Sequence, residues 1–278
     1  MNFLGIDFED WYHPQLVESF IPPERKIPTM FNGIDKILEL LRKTETRATF
    51  FVVGEILKSN PEIMDKIISN GHEIGFHTMK HCRLDTPDFK KTFKEELKEF
   101  KKITSGRSVG FRAPTFSLNK KSAWVIDELV ENNYKYDSSI VPAKTNMYGN
   151  PGAQKSPYKI TSSNLESNSE TGKIIEFPLL VTKLFGKTIP ASGGFYLRVL
   201  PLRIIKNTIE NYSKNEIPST LYIHSWELTP EYIPKIKLPK KNHFITFHKI
   251  NKTFSKMNEI LNEFEFTSFN KYFKNIEK

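Results

Sequence analysis

Two histidines stand four positions apart in the segment GFHTMKHCRL, as His77 and His81. Histidine nitrogens are common ligands of divalent metal ions, and catalytic zinc sites combine them with carboxylate oxygens while leaving one position for water. If the segment is helical, both rings lie on one face and reach a single ion. On the spacing alone, a capped or surface pair of histidines is the better explanation. The choice therefore depends on whether carboxylates lie nearby.

A cluster of acids follows the first apolar run of the chain, in GIDFEDW, as Asp7, Glu9 and Asp10. Because the acids come directly after a strand-like run, a solvated acidic turn is the weaker explanation of the cluster. Carboxylates at the end of one strand and histidines at the end of another would together supply the ligands of a zinc-type ion.

Strand-like runs alternate with helical patterns along the chain. The strand-like runs include NFLGID, RATFFVVG, HEIGFH, SVGFRAP, YKYDSSI and STLYIHSW, and helical patterns such as MFNGIDKILELLRKT and PLRIIKNTIENYSKN lie between them. This alternation predicts an α/β fold in which parallel strands with outer helices form one barrel-like domain.

Polar clusters fall at the ends of several of these strands: Asp7–Asp10, His77–His81, Arg112, Asp137 and His224. Barrels of this class build their active sites from the loops at the carboxyl ends of the strands, so several strands contribute to one site. We therefore expect the five clusters to converge in space.

The 278-residue chain is 38% hydrophobic and 26% charged, as is typical of a soluble globular protein. Its formal charge of +9 comes from lysines spread among many acids, without a nucleic-acid-binding motif, so we expect no nucleic-acid partner. No run reaches the roughly 18 apolar residues of a transmembrane helix. No secretory signal is visible, which leads us to expect a cytoplasmic protein. We expect residues 1–278 to form a single domain with a polar loop or excursion at about 142–172.

Taken in order, the motifs resemble those of the polysaccharide deacetylases of the NodB-homology family, carbohydrate esterase family four. The chain is most similar to the branch that opens with an Asp-x-Glu-Asp-Trp motif, here DFEDW. The segments TFFVVG, GHEIGFHTMKH, GFRAPTFS, YKYDSSI and LYIHSWEL follow in the family's order over roughly residues 1–230. The resemblance implies a distorted (β/α) barrel of the NodB-homology type and one divalent metal ion, with zinc as the first candidate.

The resemblance also implies a set of metal ligands and a general base. His77 and His81 match the metal histidines of the family, which also uses one aspartate as base and another as ligand. We assign Asp7 as the general base and Asp10 as the acidic metal ligand. Glu9 is an alternative ligand, because this branch has two residues inserted into the Asp-Asp form of many relatives.

Further roles follow from the same resemblance. Arg112 matches the arginine that holds the catalytic aspartate in place, where a fixed guanidinium keeps the pKa of the carboxyl low. The backbone N–H of Thr115 would stabilise an oxyanion, and His224 matches the general acid. Asp137 either tethers the catalytic histidine, lines the substrate groove or simply caps its strand.

Aromatic residues close to these motifs are candidates for contacts with a sugar ring. Trp226 lies two positions after His224 and would form part of a stacking wall. In the segment SGGFYLRVLP, Phe195 and Tyr196 would offer ring faces and Arg198 would meet an anionic group. A packed hairpin is an equally good interpretation of this segment.

These predictions describe a metal-dependent hydrolase that removes an N-acetyl group from an amino sugar, in a surface polysaccharide or its precursor. The substrate would be an N-acetylated sugar that is free, nucleotide-linked or lipid-linked. Two alternatives remain, an allantoinase-like hydrolase of cyclic amides on the same fold and a non-catalytic sugar-binding module. A metal-independent ring opener would not need the histidine pair, and a binding module would not need both Asp7 and His224.

Overall fold

The computed structural model of the protein describes residues 1–276. The strands are β1 Asn2–Phe8, β2 Thr49–Val52, β3 Glu73–Phe76, β4 Gly110–Phe111, β5 Tyr136–Asp137, β6 Tyr158–Ile160, β7 Ile174–Glu176, β8 Val181–Leu184, β9 Lys187–Pro190, β10 Thr220–His224 and β11 Phe266–Thr267. The helices are α1 Gln15–Glu18, α2 Ile34–Lys43, α3 Gly54–Ser59, α4 Glu62–Ser69, α5 Phe89–Ile103, α6 Trp124–Glu131, α7 Gly194–Val199, α8 Leu202–Lys214, α9 Ser225–Leu228, α10 Lys240–Phe247, α11 Thr253–Glu263 and α12 Asn270–Ile276.

Most of the strands form one curled sheet in the order β10–β1–β2–β3–β4–β5–β7–β6, with β11 beside the start of β1. Neighbouring strands run parallel except β6, which is antiparallel to β7. Strand β1 is paired on both sides, so Asp7 lies opposite His224 of β10 and Phe51 of β2. The predicted α/β class with mostly parallel strands in a barrel-like arrangement is therefore confirmed.

An irregular segment, residues 177–181, completes the curl of the sheet between β5 and β10. The Leu179 N–H donates to the Ile140 carbonyl just after β5, at 2.9 Å. The Leu180 N–H donates to the Thr220 carbonyl at the start of β10, at 3.0 Å. Because this segment joins the two ends of the parallel sheet, the carboxyl ends of the strands face a common mouth.

The outer helices pack on the sheet through apolar faces of helical period. Helix α5 is the clearest case, since its buried positions recur every three or four residues: Phe89, Phe93, Leu97 and Phe100. The ring of Phe100 lies 4.5 Å from that of Phe76, the last residue of β3. This packing fixes the strand end from which His77 continues.

Helix α5 begins later than its sequence pattern predicts. The pattern TPDFKK predicts a start at residue 86, but the helix starts at Phe89 because Asp88 has a left-handed φ of 63°. The structure also shows that the segment His77–His81 is not helical, since Thr78 and His81 both have a φ of 58°. The two histidines therefore approach each other through a tight turn.

Two other segments contain elements that the sequence analysis did not predict. Residues 192–201 hold the short helix α7, and the hairpin of β8 and β9 precedes them. The polar stretch 142–172 contains β6, which adds to the edge of the main sheet. Among residues 1–276, no helix is both long enough and apolar enough to cross a membrane.

Phe177→Ala is expected to lower the free energy of unfolding by about 3–5 kcal/mol, because it leaves a cavity where the irregular segment after β7 packs on the sheet. The ring of Phe177 is fully buried and lies 4.9 Å from that of Phe3. Phe185→Ala is the matched control, since Phe185 is 95% exposed at the tip of the β8–β9 hairpin, and it should change stability by less than about 0.5 kcal/mol. Urea unfolding measures both, and equal effects would contradict the role of residues 177–181.

Candidate active site and metal centre

Glu9, His77 and His81 bring one ligand atom each to within 4.8 Å of one another. All three are buried. His81 Nε2 lies 2.5 Å from Glu9 Oε2, yet this oxygen makes no hydrogen bond of acceptable geometry within residues 1–276. A buried carboxylate oxygen without a donor is costly unless a cation or proton meets it. The group therefore has the composition and burial expected of metal ligands.

The two histidines of this group are oriented by their surroundings. The Nδ1–H of His77 donates to the Arg112 carbonyl at 2.7 Å, which leaves Nε2 as the free ligand atom. Burial lowers the pKa of His77 to about 4, so the ring is in the neutral form that binds metals. The ring of His13 stacks on His81 at 5.5 Å. His13 itself accepts the N–H of Asp10 at Nδ1, at 2.8 Å, so its tautomer is fixed.

Asp10, the predicted acidic metal ligand, lies outside this group. Its Oδ1 accepts hydrogen bonds from the backbone N–H groups of Thr29, at 2.9 Å, and Met30, at 3.3 Å. Burial raises the pKa of Asp10 to about 6 in spite of these bonds. Asp10 therefore anchors the segment that leads into α2, and the alternative ligand Glu9 takes its place among the candidate metal ligands.

Trp226 orients Glu9. Its Nε1–H donates to Glu9 Oε1 at 3.0 Å, and its ring stacks on that of His224 at 5.1 Å. Burial alone would raise the pKa of Glu9, but the charges of His81 and His224 lower it well below the usual range. Trp226 borders the cavity over this group, but it is only 3% exposed, and its polar edge holds a candidate ligand in place.

Asp7 is held by a buried arginine, as the sequence predicts. Arg112 Nη1 donates to Asp7 Oδ1 at 2.8 Å, while Nε and Nη2 donate to the carbonyl and Oγ of Ser138 at 2.8 and 2.7 Å. The guanidinium also lies 4.2 Å from the ring centroid of Phe51. With each nitrogen of Arg112 engaged and the side chain fully buried, the carboxylate of Asp7 has little freedom.

His224 lies directly opposite Asp7 on the neighbouring strand. Its Nδ1–H donates to Glu227 Oε2 at 2.6 Å, and Arg198 Nε lies 2.8 Å from Glu227 Oε1. Burial opposes protonation of His224, but the hydrogen bond and charge of Glu227, aided by Glu9 and Asp7, raise its pKa to about 9. His224 is therefore a cation at neutral pH, with its side chain 20% exposed toward the cavity.

Glu227 was missed by the sequence reasoning, which considered Asp137 as the tether of His224. Asp137 does not border the cavity. Its Oδ1 accepts a hydrogen bond from Ser139 at 2.5 Å, and it lies opposite Glu176 of β7 in a buried carboxyl pair. Burial and the charge of Asp137 raise the pKa of Glu176. The signal for the actual tether was present in HSWEL, where a glutamate follows the histidine by three positions.

The segment 192–201 contributes to the site differently from the prediction. Tyr196 packs against the hydrophobic core, and it is its neighbour Phe195 that lines the cavity. Arg198 is 2% exposed and donates to the carbonyls of Ile245 and His248 in addition to its contact with Glu227. Arg198 is therefore not available for an anionic group of a substrate.

A cavity of about 120 Å³ covers these residues. Its polar floor consists of Asp7, Glu9, His77, His81 and His224, and its aromatic wall of Phe116, Tyr148, Phe195, Tyr222 and Trp226. Thr115 lies beside the floor in a left-handed conformation with a φ of 53°. Three of the five predicted clusters, those of Asp7, His77 and His224, have residues that line the cavity. Arg112 joins them through its hydrogen bond to Asp7, and Asp137 does not.

Residues 29–134 match the family model described as polysaccharide deacetylase. This stretch is similar to the polysaccharide deacetylases over about a third of the chain. A second family model, described as a domain of unknown function (DUF3473), matches residues 138–274. The two matched stretches contribute strands to one continuous sheet, in which β5 lies between them.

Curated relatives are similar over part of their length. A peptidoglycan-N-acetylglucosamine deacetylase from Bacillus cereus is 36% identical over 74 residues, which is 23% of this chain and 35% of that protein. One from Listeria monocytogenes is 25% identical over 177 residues, which is 58% of this chain and 37% of that protein. The matches thus span little more than a third of these relatives.

Solved structures resemble the chain over almost its whole length. A protein from Mycobacterium smegmatis that is assigned to the polysaccharide deacetylases has a TM-score of 0.62 at 15% identity, covering 99% of this chain and 91% of that one. An allantoinase has a TM-score of 0.52 at 14% identity, covering 95% and 85%. At such identities the likeness shows the fold alone, and the fold is shared by both kinds of enzyme.

Glu9→Gln should weaken zinc binding by at least about 10-fold, because it removes the negative charge of a candidate ligand. Asp10→Asn is the matched control, since it removes a neighbouring buried carboxylate that contacts only backbone N–H groups in the structure. We expect the control to keep the wild-type zinc affinity and stoichiometry while losing some stability. Zinc titration of the apoprotein measures both variants, and the opposite pattern would return the ligand role to Asp10.

Proposed function

We propose that this protein is a metal-dependent hydrolase that removes the N-acetyl group from an N-acetylated amino sugar. The observation that carries the proposal is the meeting of three elements at one cavity: the Glu9–His77–His81 group, the Arg112-held Asp7 and the Glu227-held His224. Hydrolysis of an amide requires activation of water, stabilisation of an oxyanion and protonation of the leaving nitrogen, and these residues offer groups for each task.

We further propose zinc as the ion. Two imidazoles and one carboxylate, with room left for further ligands, match the donor sets of catalytic zinc sites. The buried Glu9 Oε2, which makes no hydrogen bond within residues 1–276, and the engaged Nδ1 of His77 support the same assignment. An ion held there would supply Lewis acidity, which polarises the acetamide carbonyl and lowers the pKa of water.

Asp7 and His224 divide the proton transfers between them. Asp7 accepts the proton of the attacking water, since its salt bridge with Arg112 keeps a carboxylate oriented next to the cavity. His224 is protonated at neutral pH and donates to the departing nitrogen. The Thr115 N–H, beside the same floor, donates to the oxyanion. Acetate and a free amino sugar leave the site.

The aromatic wall supports a sugar as the substrate. Sugar rings commonly pack their apolar faces on aromatic side chains, and Phe116, Phe195 and Tyr148 present such faces within the cavity. We propose that the sugar belongs to a surface polysaccharide or its precursor. We also propose that the chain acts as one catalytic domain. The residues of the cavity floor lie on or just after β1, β3 and β10, which are distant in the sequence.

The cyclic-amide hydrolase is the remaining rival, because an allantoinase shares the fold. The buried Glu9–His77–His81 group favours the deacetylase, since a metal-independent ring opener has no use for such a set. Allantoin is the discriminating substrate: turnover of allantoin without added metal would favour the rival.

The zinc-loaded wild type should release acetate from triacetylchitotriose, and Asp7→Asn should lower kcat by about 10²–10⁴-fold through loss of the general base. Asp127→Asn is the matched control, since Asp127 is exposed on α6 and has no ion pair within residues 1–276. Enzymatic determination of acetate measures all three proteins. Full activity of Asp7→Asn would refute the assignment of the base.

Glu227→Gln should move the alkaline limb of the kcat profile to lower pH. His224 must be protonated to act as an acid, so activity is present below its pKa and is lost as the pH rises through it. With Glu227 ionised this pKa is about 9, and removal of the charge should shift it toward the ordinary value of about 6.5.

Glu210→Gln on the exposed face of α8 provides the comparison for this profile. It should leave the alkaline limb where it is in the wild type. An unchanged limb in Glu227→Gln would mean that His224 is not the group whose ionisation the profile reports.

A further inference from the structure

A basic segment lies beside the cavity. Residues 232–258 contain seven lysines and no aspartate or glutamate. Four of these lysines are exposed and close together in sequence, Lys235, Lys237, Lys240 and Lys241, and we refer to them as the basic rim. Within residues 232–258 no acid lies between these lysines in the sequence.

The rim lysines are also unpaired in space. Some exposed lysines elsewhere have acidic partners, such as Lys58 with Glu99 at 2.7 Å and Lys66 with Asp35 at 2.8 Å. Within the part of the chain that the structure describes, no rim lysine has a carboxylate within 4.0 Å. Their positive charge is therefore not neutralised by a carboxylate of the described residues.

Helix α10 connects the rim to the cavity. It carries Lys240 and Lys241 at its start and Ile245, which lines the cavity, one turn later. Lys241 and Ile245 are four positions apart, so they are neighbours on one helical face with Cβ atoms about 5–6 Å apart. Lys241 thus lies one turn of α10 away from a residue that lines the cavity.

The position of α10 is fixed by hydrogen bonds at both ends. Asn242 Nδ2–H donates to the carbonyl of Leu16, another cavity residue, at 2.9 Å. At the other end Arg198 donates to the carbonyls of Ile245 and His248 at 2.8 and 3.0 Å. Because α10 is anchored on both sides, the lysines are presented at a constant place relative to the floor.

We propose that the basic rim binds phosphate on the substrate, so that the N-acetylated sugar enters the site as a phosphate ester. The inference rests on the proposed deacetylase function and specifies its substrate class. Lysine ammonium groups bind phosphate as compact point charges. The rim has lysines only, and Arg198, which contacts α10, is engaged with Glu227. The phosphate belongs either to a nucleotide or to a lipid carrier.

The test compares two double variants that each remove two adjacent positive charges. Lys240→Gln with Lys241→Gln alters the rim. Lys101→Gln with Lys102→Gln is the control, since these lysines are adjacent and exposed at the end of α5 and have no acid within 4.0 Å among the described residues. The two variants therefore have the same net charge.

The measured quantity is the ratio of kcat/KM for a phosphorylated substrate to that for a neutral one. The phosphorylated substrates are UDP-N-acetylglucosamine and a short-chain prenyl diphosphate carrying N-acetylglucosamine, and the neutral one is triacetylchitotriose. The rim variant should lower the ratio by about 5- to 30-fold at low ionic strength, as expected for the loss of two charge contacts. The control should keep the wild-type ratio, and added salt should lower that ratio in the wild type.

Calorimetric binding of the same compounds separates failure of this inference from failure of the proposed function. If the wild type and both double variants release acetate from all substrates with the same ratio of kcat/KM values, the phosphate-binding role of the rim is refuted. The proposed deacetylase function is then still supported. If no acetate is released but the phosphorylated compounds bind more weakly to the rim variant than to the wild type, the proposed deacetylase function is refuted. Phosphate binding by the rim is then supported. If the control variant loses as much of the kcat/KM ratio as the rim variant, the loss comes from the change in net charge alone, and the inference is wrong. A ratio that falls for only one phosphorylated compound identifies the carrier.

Discussion

The buried Arg112 side chain is the interaction on which the candidate site depends. Its guanidinium joins Asp7 of β1 to Ser138, which follows β5, and packs on Phe51 of β2, while its carbonyl accepts the His77 Nδ1–H. A side chain at position 5 would overlap the guanidinium, which explains the glycine there. Removing one partner of such a buried pair costs about 3–5 kcal/mol, because the other charge is left without compensation. One residue thus orients both the candidate base and a candidate metal ligand.

Much of this arrangement could be predicted from the sequence because it follows from strand geometry. The alternation of strands and helices gave the fold class, and polar residues at the strand ends gave Asp7, His77, His81 and His224. The acidic ligand is an instructive case. Successive side chains of a strand point to opposite faces; β1 ends at Phe8, and if the alternation is continued past its end, Asp7 and Glu9 share a side and Asp10 does not. Applying this rule to DFED would have favoured Glu9 over Asp10.

The remaining features could not be predicted, because they depend on contacts between distant parts of the chain. Arg198 reaches Glu227 and α10 only after α7 has been placed beside β10. The left-handed residues Thr78 and His81 fold the histidine pair into a turn, although the spacing of four also suits a helix. Asp137 ends its strand as predicted, but register pairs it with Glu176, away from the cavity. Spacing therefore identifies candidate residues but not which of them face each other.

The network around Arg198 links two properties of the site that are usually independent. Through Nε it stabilises the charge of Glu227, and Glu227 in turn raises the pKa of His224 to about 9. Through Nη1 and Nη2 it holds the carbonyls of His248 and Ile245, and so positions the helix that walls the cavity. Any displacement of α10 must therefore disturb the guanidinium that balances Glu227. Since the side chain is almost completely buried, water cannot replace these contacts easily. The acidity of His224 and the shape of the cavity mouth are coupled through one side chain.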